Sequence, residues 1–139
     1  MSLSIRPFEP EDHAAAWALW ESTEGIGLSS ANSFESVSRF LRRNPSSCFV
    51  ATDDDVVVGT ILCGHDGRRG LIHSLAVGAT HRRRGLGRML VTRALAALRQ
   101  EGIEKCHLLV FNQNSEGRAF WKGIGAEERT TLALFSLTT

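Results

Sequence analysis

From its amino end the chain first alternates and then takes up a helical period. Leu3, Ile5 and Pro7 alternate with Ser4 and Arg6, the period of a short strand. Pro10-Glu11-Asp12 then predicts a helix start, because proline suits a first turn and acids complement the positive helix end. Ala16, Trp17, Leu19 and Trp20 supply its apolar face. EGIGLSSANS has no period and reads as a loop. From Ser33, Phe34, Val37, Phe40 and Leu41 recur at helical spacing until Asn44-Pro45. Three β-rich runs follow: CFVAT, VVVGTILC and GLIHSLAV. Asp53-Asp54-Asp55 separates the first two and HDGRRG the second two, and turns this short predict antiparallel hairpins. Leu86, Met89, Leu90, Ala94, Ala97 and Leu98 mark one face of a long helix stopped by Gly102. CHLLVF reads as a buried strand, NSEGRAFWKGIG as a helix and TLALFSL as a last strand.

The resulting order is β-α-α-β-β-β-α-β-α-β, with no repeat, low-complexity segment or linker. It predicts a single α+β domain over residues 1–139, built on a mixed, mostly antiparallel twisted sheet with helices on both faces. The 16 basic and 15 acidic side chains leave a net charge of +1, which argues against a nucleic-acid partner. Cys48, Cys63 and Cys106 lie in apolar runs without metal-ligand spacing, so neither a disulfide framework nor a metal site is expected. A reducing, cytoplasmic setting fits them. No apolar run is long enough to cross a membrane, and no membrane partner is expected.

The stretch HRRRGLGRMLV, from His81 to Val91, carries the chemistry. It joins a predicted strand to a predicted helix, so its glycines fall at a helix N-terminus, where backbone N–H groups lack partners and the dipole adds positive charge. Glycine lets an anion approach those donors, and Arg82, Arg83, Arg84 and Arg88 add charge. A phosphate or pyrophosphate cradle is one reading and a solvated basic helix start the other. A P-loop is excluded by the missing Gly-Lys-Ser/Thr. The dinucleotide fingerprint is excluded because its third glycine would have to replace Leu90.

Arg82-x-x-Gly85-x-Gly87, following IHSLAV, resembles the acyl-CoA-binding signature R/Q-x-x-G-x-G/A of the GNAT superfamily of N-acetyltransferases. Asn114 to Trp121, followed by Gly125, is similar to that superfamily's second motif. GHDGRRG, GIEKCHLLVF and the Phe120-Trp121 pair further resemble a bacterial YpeA-like branch. The predicted element order also matches the superfamily's fold along essentially the whole chain. The resemblance implies acetyl-CoA as co-substrate, with its pyrophosphate on the backbone of Arg82, Arg83, Arg84, Gly85, Leu86, Gly87 and Arg88. It implies a pantetheine arm lying beside Leu75, Ala76 and Val77, bonded by Asn114 and flanked by Phe120 and Trp121. The acceptor would be a primary amine on a small molecule or a protein. Glu21, Glu24 and the EGIGLSSANS loop would line its site. Homodimers are common in the superfamily.

Acyl transfer to an amine needs the amine deprotonated, an oxyanion stabilised and a thiolate expelled. Backbone amides of Leu75 and Ala76 are the expected oxyanion donors. His73, placed by strand alternation on one face with Leu71, Leu75 and Val77, is the candidate general base, since its ordinary pKa of about 6.5 suits that role. A half-buried structural histidine and proton removal through water are the alternatives, and Glu24, His65 and Asp66 are further candidates. The chain has no tyrosine. Trp121 stands where relatives often place one to protonate the thiolate, and an indole cannot surrender a proton near neutrality. A non-catalytic acyl-CoA-binding sensor is therefore the rival reading. In HDGRRG, Asp66-Gly67 reads as a turn with Arg68 and Arg69 solvated; the alternative is a loop overhanging the acyl site, whose arginines would select an acidic substrate.

Overall fold

The computed structural model describes residues 2–139, which pack as two compact units, one ending at Leu109 and the other spanning Val110–Thr139. The first unit holds a five-stranded mixed sheet in the order β1-β2-β3-β4-β5: β1 Leu3–Pro7, β2 Phe49–Asp53, β3 Val56–His65, β4 Gly70–Val77 and β5 Cys106–Leu108. The first four strands run antiparallel and β5 pairs parallel to β4. Tight hairpins make β2, β3 and β4 antiparallel, the two-helix connection between β1 and β2 also returns antiparallel, and a helical crossover makes β5 parallel to β4. Helices α1 His13–Glu21 and α2 Phe34–Arg43 connect β1 to β2, and α3 Leu86–Gln100 connects β4 to β5.

The sheet is covered on both sides, as an α+β fold requires. Trp20 and Ala16 of α1 and Val37 and Leu41 of α2 share one buried cluster with Val50, Leu62 and Ala76 of the sheet. On the opposite face a Cβ added at Gly59 would meet Leu90 of α3, and one added at Gly70 would meet Leu98. Arg93 lies over the Phe49 ring on that side, 4.9 Å from its centroid. Leu90 and Leu98 are almost fully buried.

Local chemistry sets the boundaries. Asp54 and Asp55 both take positive φ, 49° and 69°, which makes the β2–β3 connection a two-residue hairpin of the twist-matching kind that aspartate tolerates. Ser33 caps α2 by accepting a bond from the Ser36 N–H at 3.1 Å. At the end of α3, Gly102 adopts φ 81°, and the N–H groups of Ile103 and Gly102 bond back to Leu98 and Arg99. Asp12, expected only to complement a helix dipole, is buried and gripped by the two terminal guanidinium nitrogens of Arg6 at 2.8 Å.

Two expectations fail at the carboxyl end. CHLLVF is a strand only from Cys106 to Leu108, and Leu109 and Phe111 are exposed. This strand closes the edge of the sheet, paired through three residues to β4, so it is not the buried strand its apolar run suggested. TLALFSL has no regular structure, and Leu132, Leu134, Phe135 and Leu137 stand exposed. Alternation supplies strand-forming side chains, but a strand exists only through backbone bonds to a neighbour. The one helix or strand of its own unit is α4, Ser115–Gly123, which offers no such partner.

Candidate functional site

The feature that shapes the candidate site is a bulge in β4. Leu62 pairs with His73 and Thr60 with Ala76, so β4 carries one residue more than β3 across this step. Ser74 takes up the surplus at φ 51°, a left-handed conformation that costs a non-glycine residue about 1–2 kcal/mol. Three polar groups hold it. Trp20 Nε1–H donates to Thr60 Oγ1 at 2.9 Å, and Thr60 Oγ1–H donates to the Ser74 carbonyl at 2.8 Å. Asn32, buried in the loop between α1 and α2, donates from Nδ2 to Ser74 Oγ at 3.4 Å. The Asn32 carbonyl accepts from His13 Nε2 at 2.8 Å, and its Oδ1 accepts from the Ser29 N–H.

The bulge corrects the expected face of the strand. Straight alternation would align His73 with Leu75 and Val77. With one residue inserted, His73 shares its face with Ala76, on the α1–α2 side, and Val77 turns to the α3 side opposite Gly59. Pairing with β5 ends at Ile72, so among the described residues no strand pairs with the outer edge of β4 from His73 to Val77. The residues expected to face an acyl thioester, Leu75, Ala76 and Val77, all lie on that unpaired length.

The same strand runs directly into the arginine-rich connection. The Gly78 N–H bonds to the Val58 carbonyl at 2.8 Å, and Ala79–His81 form a single turn. His81 Nε2–H donates to Asp53 Oδ2 at 2.7 Å, tying the loop back to β2, and holds the Asp53 carboxyl below its ordinary pKa. Arg82 Nε–H donates to the Val77 carbonyl at 3.0 Å. Arg83 and Gly85 then take positive φ, 63° and 79°. Gly85 is the N-cap of α3 and has no side chain, so the N-cap offers no side-chain acceptor to the N–H groups of the first turn, Leu86, Gly87 and Arg88. Space is open where a Cβ at Gly85 would lie. Leu86 buries its side chain, while Arg82, Arg83, Arg84 and Arg88 are exposed around the turn. An uncapped helix start with open space before it and arginines around it fits an anionic group such as a diphosphate.

His73 is exposed, with the Phe40 ring edge-on at 5.7 Å. The packing around the ring, rather than any charge, holds its pKa below the ordinary value, so it is neutral at pH 7. His65 and Asp66 are at the opposite end of β3. His65 is five residues from Thr60, roughly 17 Å along the strand. It accepts from the Gly67 N–H and donates to Glu101. Asp66 Oδ1 accepts from the Arg68 and Arg69 N–H groups, which bears out the turn reading. Glu21 and Glu24 are exposed. Burial pushes the Cys48 thiol up to about 12, which leaves it inert. Among the described residues no group of three or more metal-ligating side chains is found, and no helix is long and apolar enough to cross a membrane.

The second unit carries the other motif. Asn114 caps α4, its Oδ1 accepting from the Gly117 N–H at 3.0 Å. Its amide also covers Gly117, where an added Cβ would fall 2.5 Å from Nδ2. Phe120 and Trp121 are half-buried and meet edge to face at 5.1 Å. Gly125, at φ 100°, ends the helix as Gly102 ends α3, with the Ala126 N–H bonded back to Trp121.

Sequence patterns had not singled out Thr60 or Asn32. Threonine in a β-rich run is an ordinary strand former, and an asparagine in a serine-rich loop gives no sign of burial.

The model of the Acetyltransferase (GNAT) family matches residues 8–126, a range that spans both units. An acetyltransferase of Pectobacterium atrosepticum is 30% identical over 112 residues, covering 81% of this chain and 79% of that one. An acetyltransferase of Yersinia pseudotuberculosis is 26% identical over 132 residues, covering 95% and 93%. Among solved structures, Ard1 from Thermoplasma volcanium superposes with a TM-score of 0.79 at 25% identity, covering 90% of this chain and 82% of that one. The PaiA N-acetyltransferase from Thermoplasma acidophilum, solved in complex with coenzyme A, gives 0.72 at 21% identity, covering 90% and 89%.

Proposed function

We propose that this chain, which belongs to the GNAT acetyltransferase family and is an N-acetyltransferase, takes its acetyl group from acetyl-CoA and delivers it to a primary amine. The observation that carries the donor assignment is the continuous run from the unpaired edge of β4 into the uncapped start of α3. One end of that run presents backbone to an acyl thioester, and the other presents N–H donors and arginines to a diphosphate. The PaiA structure with coenzyme A supports the assignment by analogy of fold. In this reading Leu86, Gly87 and Arg88 bind the pyrophosphate through backbone N–H groups, and Arg82, Arg83 and Arg84 add charge.

The amine, once neutral, attacks the thioester carbonyl carbon, and the carbonyl π pair moves onto oxygen. The Ala76 N–H, paired across to Thr60, turns toward β3, so the Leu75 N–H is the donor that stabilises that oxyanion as it forms. Its collapse re-forms the carbonyl and expels the thiolate of CoA. His73, neutral at pH 7 and on the face of Ala76, accepts the ammonium proton directly or through water. Trp121 donates at most a hydrogen bond, so the thiolate leaves as an anion or takes its proton from water. The relatives are named as acetyltransferases, which favours transfer over a sensor. The three free cysteines favour a cytoplasmic setting.

Titration calorimetry with acetyl-CoA, followed by thiol release across a panel of amines, tests this reading. Binding together with amine-dependent thiol release supports it. Absence of acetyl-CoA binding refutes the donor assignment, and binding without transfer to any amine refutes the acceptor class.

A further inference from the structure

The relay from Trp20 through Thr60 to Ser74 has a direction. An indole N–H can only donate, so Thr60 Oγ1 accepts from Trp20, and its own proton is left to point at the Ser74 carbonyl. Both side chains are shut off from water, Thr60 at 0% exposure and Trp20 at 1%, so no solvent molecule substitutes for either bond. The Ser74 carbonyl belongs to the same planar peptide unit as the Leu75 N–H. In a trans peptide the two point in opposite directions. Fixing that carbonyl on Thr60, within β3, therefore aims the Leu75 N–H away from β3, toward the edge of β4 that has no β5 partner. A carbonyl that accepts a hydrogen bond also polarises its peptide unit and strengthens the attached N–H as a donor.

We propose that Thr60 is a positioning residue for acetyl transfer: its hydroxyl, oriented by Trp20, sets the peptide plane of Ser74 and Leu75 so that the Leu75 N–H is aimed at the developing oxyanion. The proposal rests on the reading that the free edge of β4 supplies the oxyanion donors. It predicts a specific kinetic signature. An oxyanion donor acts in the transition state, so disturbing its aim lowers kcat and leaves the affinity for acetyl-CoA nearly unchanged. Deleting an oxyanion donor costs about a hundredfold to a thousandfold, and misaiming one is expected to cost less.

The experiment compares wild type, Thr60→Val and Thr60→Ser by thiol release with the best amine of the panel and by calorimetric titration with acetyl-CoA. Valine keeps the shape and removes the hydroxyl, whereas serine keeps the hydroxyl. Thr60→Val is expected to lower kcat about 10- to 100-fold with Kd within about 3-fold of wild type, and Thr60→Ser to return kcat to within about 5-fold. Unchanged kcat in Thr60→Val overturns the proposal. So does a parallel loss of kcat and affinity that serine fails to rescue, since that is general damage. If Thr60→Val does not fold, Trp20→Phe is read in its place. It removes the orienting donor, and the expected fall in kcat is about 3- to 10-fold at constant Kd. An unchanged kcat there is equally fatal. A wild type that turns over alongside an equally active Thr60→Val sinks this proposal alone, whereas a wild type that releases no thiol sinks the acetyl-transfer reading and this proposal with it.

Discussion

The double variant Arg84→Glu/Gly87→Glu puts the cradle to its hardest test, because it is expected to move binding and stability in different directions. Arg84→Glu changes the local charge by two units and Gly87→Glu by one. Two unit charges about 6 Å apart in water interact by about 0.7 kcal/mol. Against a diphosphate of about two charges, the three-unit change totals about 4 kcal/mol before screening. At 0.15 M salt, where the Debye length is about 8 Å, roughly half survives, about 2 kcal/mol or a 30-fold weaker Kd for acetyl-CoA. At 0.01 M salt the loss approaches several hundredfold. Stability should not follow. Gly87 is the second residue of α3, where a glutamate complements the helix dipole and replaces a poor helix former. Calorimetric titrations at the two salt concentrations, paired with thermal melts, read both quantities. A variant that binds acetyl-CoA as tightly as wild type, or whose loss does not grow as salt is lowered, refutes the cradle. A variant that loses binding only because its Tm collapses refutes the claim that these positions serve the ligand rather than the fold.

Three further outcomes are expected. His73→Gln should remove the acidic limb of the kcat/KM profile if His73 takes the amine proton. The native pKa lies below the ordinary value of about 6.5, so wild-type activity falls only below that pH; an acidic limb unchanged in the variant assigns the proton to water. The same shift has a sign for stability: a histidine whose native pKa is depressed contributes stability above its unfolded pKa and loses it as pH falls through the window beneath. Gly64→Ala should cost about 1–3 kcal/mol in urea unfolding. The new Cβ would fall 2.5 Å from Asn44, whose side chain is fixed by bonds to Phe40 and His65. Asp12→Asn should lose about 1–2 kcal/mol at pH 7 and flatten the acid side of the stability profile. Burial raises the Asp12 pKa, but the Arg6 bonds and the Glu9 N–H outweigh it. The net lowering makes the contribution present above the unfolded value of about 3.9 and lost as pH falls through the native one.

What could be read directly from the sequence were the features with a local cause. GLIHSLAV coincides with β4, Ser33 caps the helix it was expected to start, and Gly102 stops α3 where the apolar period ends. Each depends on residues within one or two turns of chain. TLALFSL was misread because alternation describes side chains, whereas a strand depends on a partner elsewhere. The length of β5 was misread for the same reason, since three paired residues mark where β4 stops offering bonds. The candidate site shows the same division. The proposed cradle has a motif, because glycines and arginines at fixed spacing suit an anion at a helix start. The positioning groups have none: Trp20, Thr60 and Asn32 come from three segments and meet only in the folded chain.

The bulge at Ser74 shows why a one-residue irregularity can matter more than the strand around it. Serine lacks glycine's freedom at positive φ, so nothing in GLIHSLAV signals a break, and the alternation rule silently assigns Val77 to the wrong face. The left-handed residue is strained, and strain persists only where neighbouring structure holds it. Here Thr60, supported by Trp20 from α1, holds the carbonyl, while Asn32, from the loop expected to line the acceptor site, holds the hydroxyl. The outward N–H groups of β4 beyond Ile72 and the first-turn N–H groups of α3 are the same physical commodity, backbone donors with no strand and no N-cap side chain against them among the described residues. They lie on one run of chain, from Leu75 to Arg88, with the bulge at one end and a left-handed glycine before the helix at the other. A ligand with an acyl carbonyl and a diphosphate satisfies both sets, and a ligand with only one of the two leaves the other unsatisfied. That is the physical reason to read this chain as a binder of acyl-CoA rather than of phosphate alone.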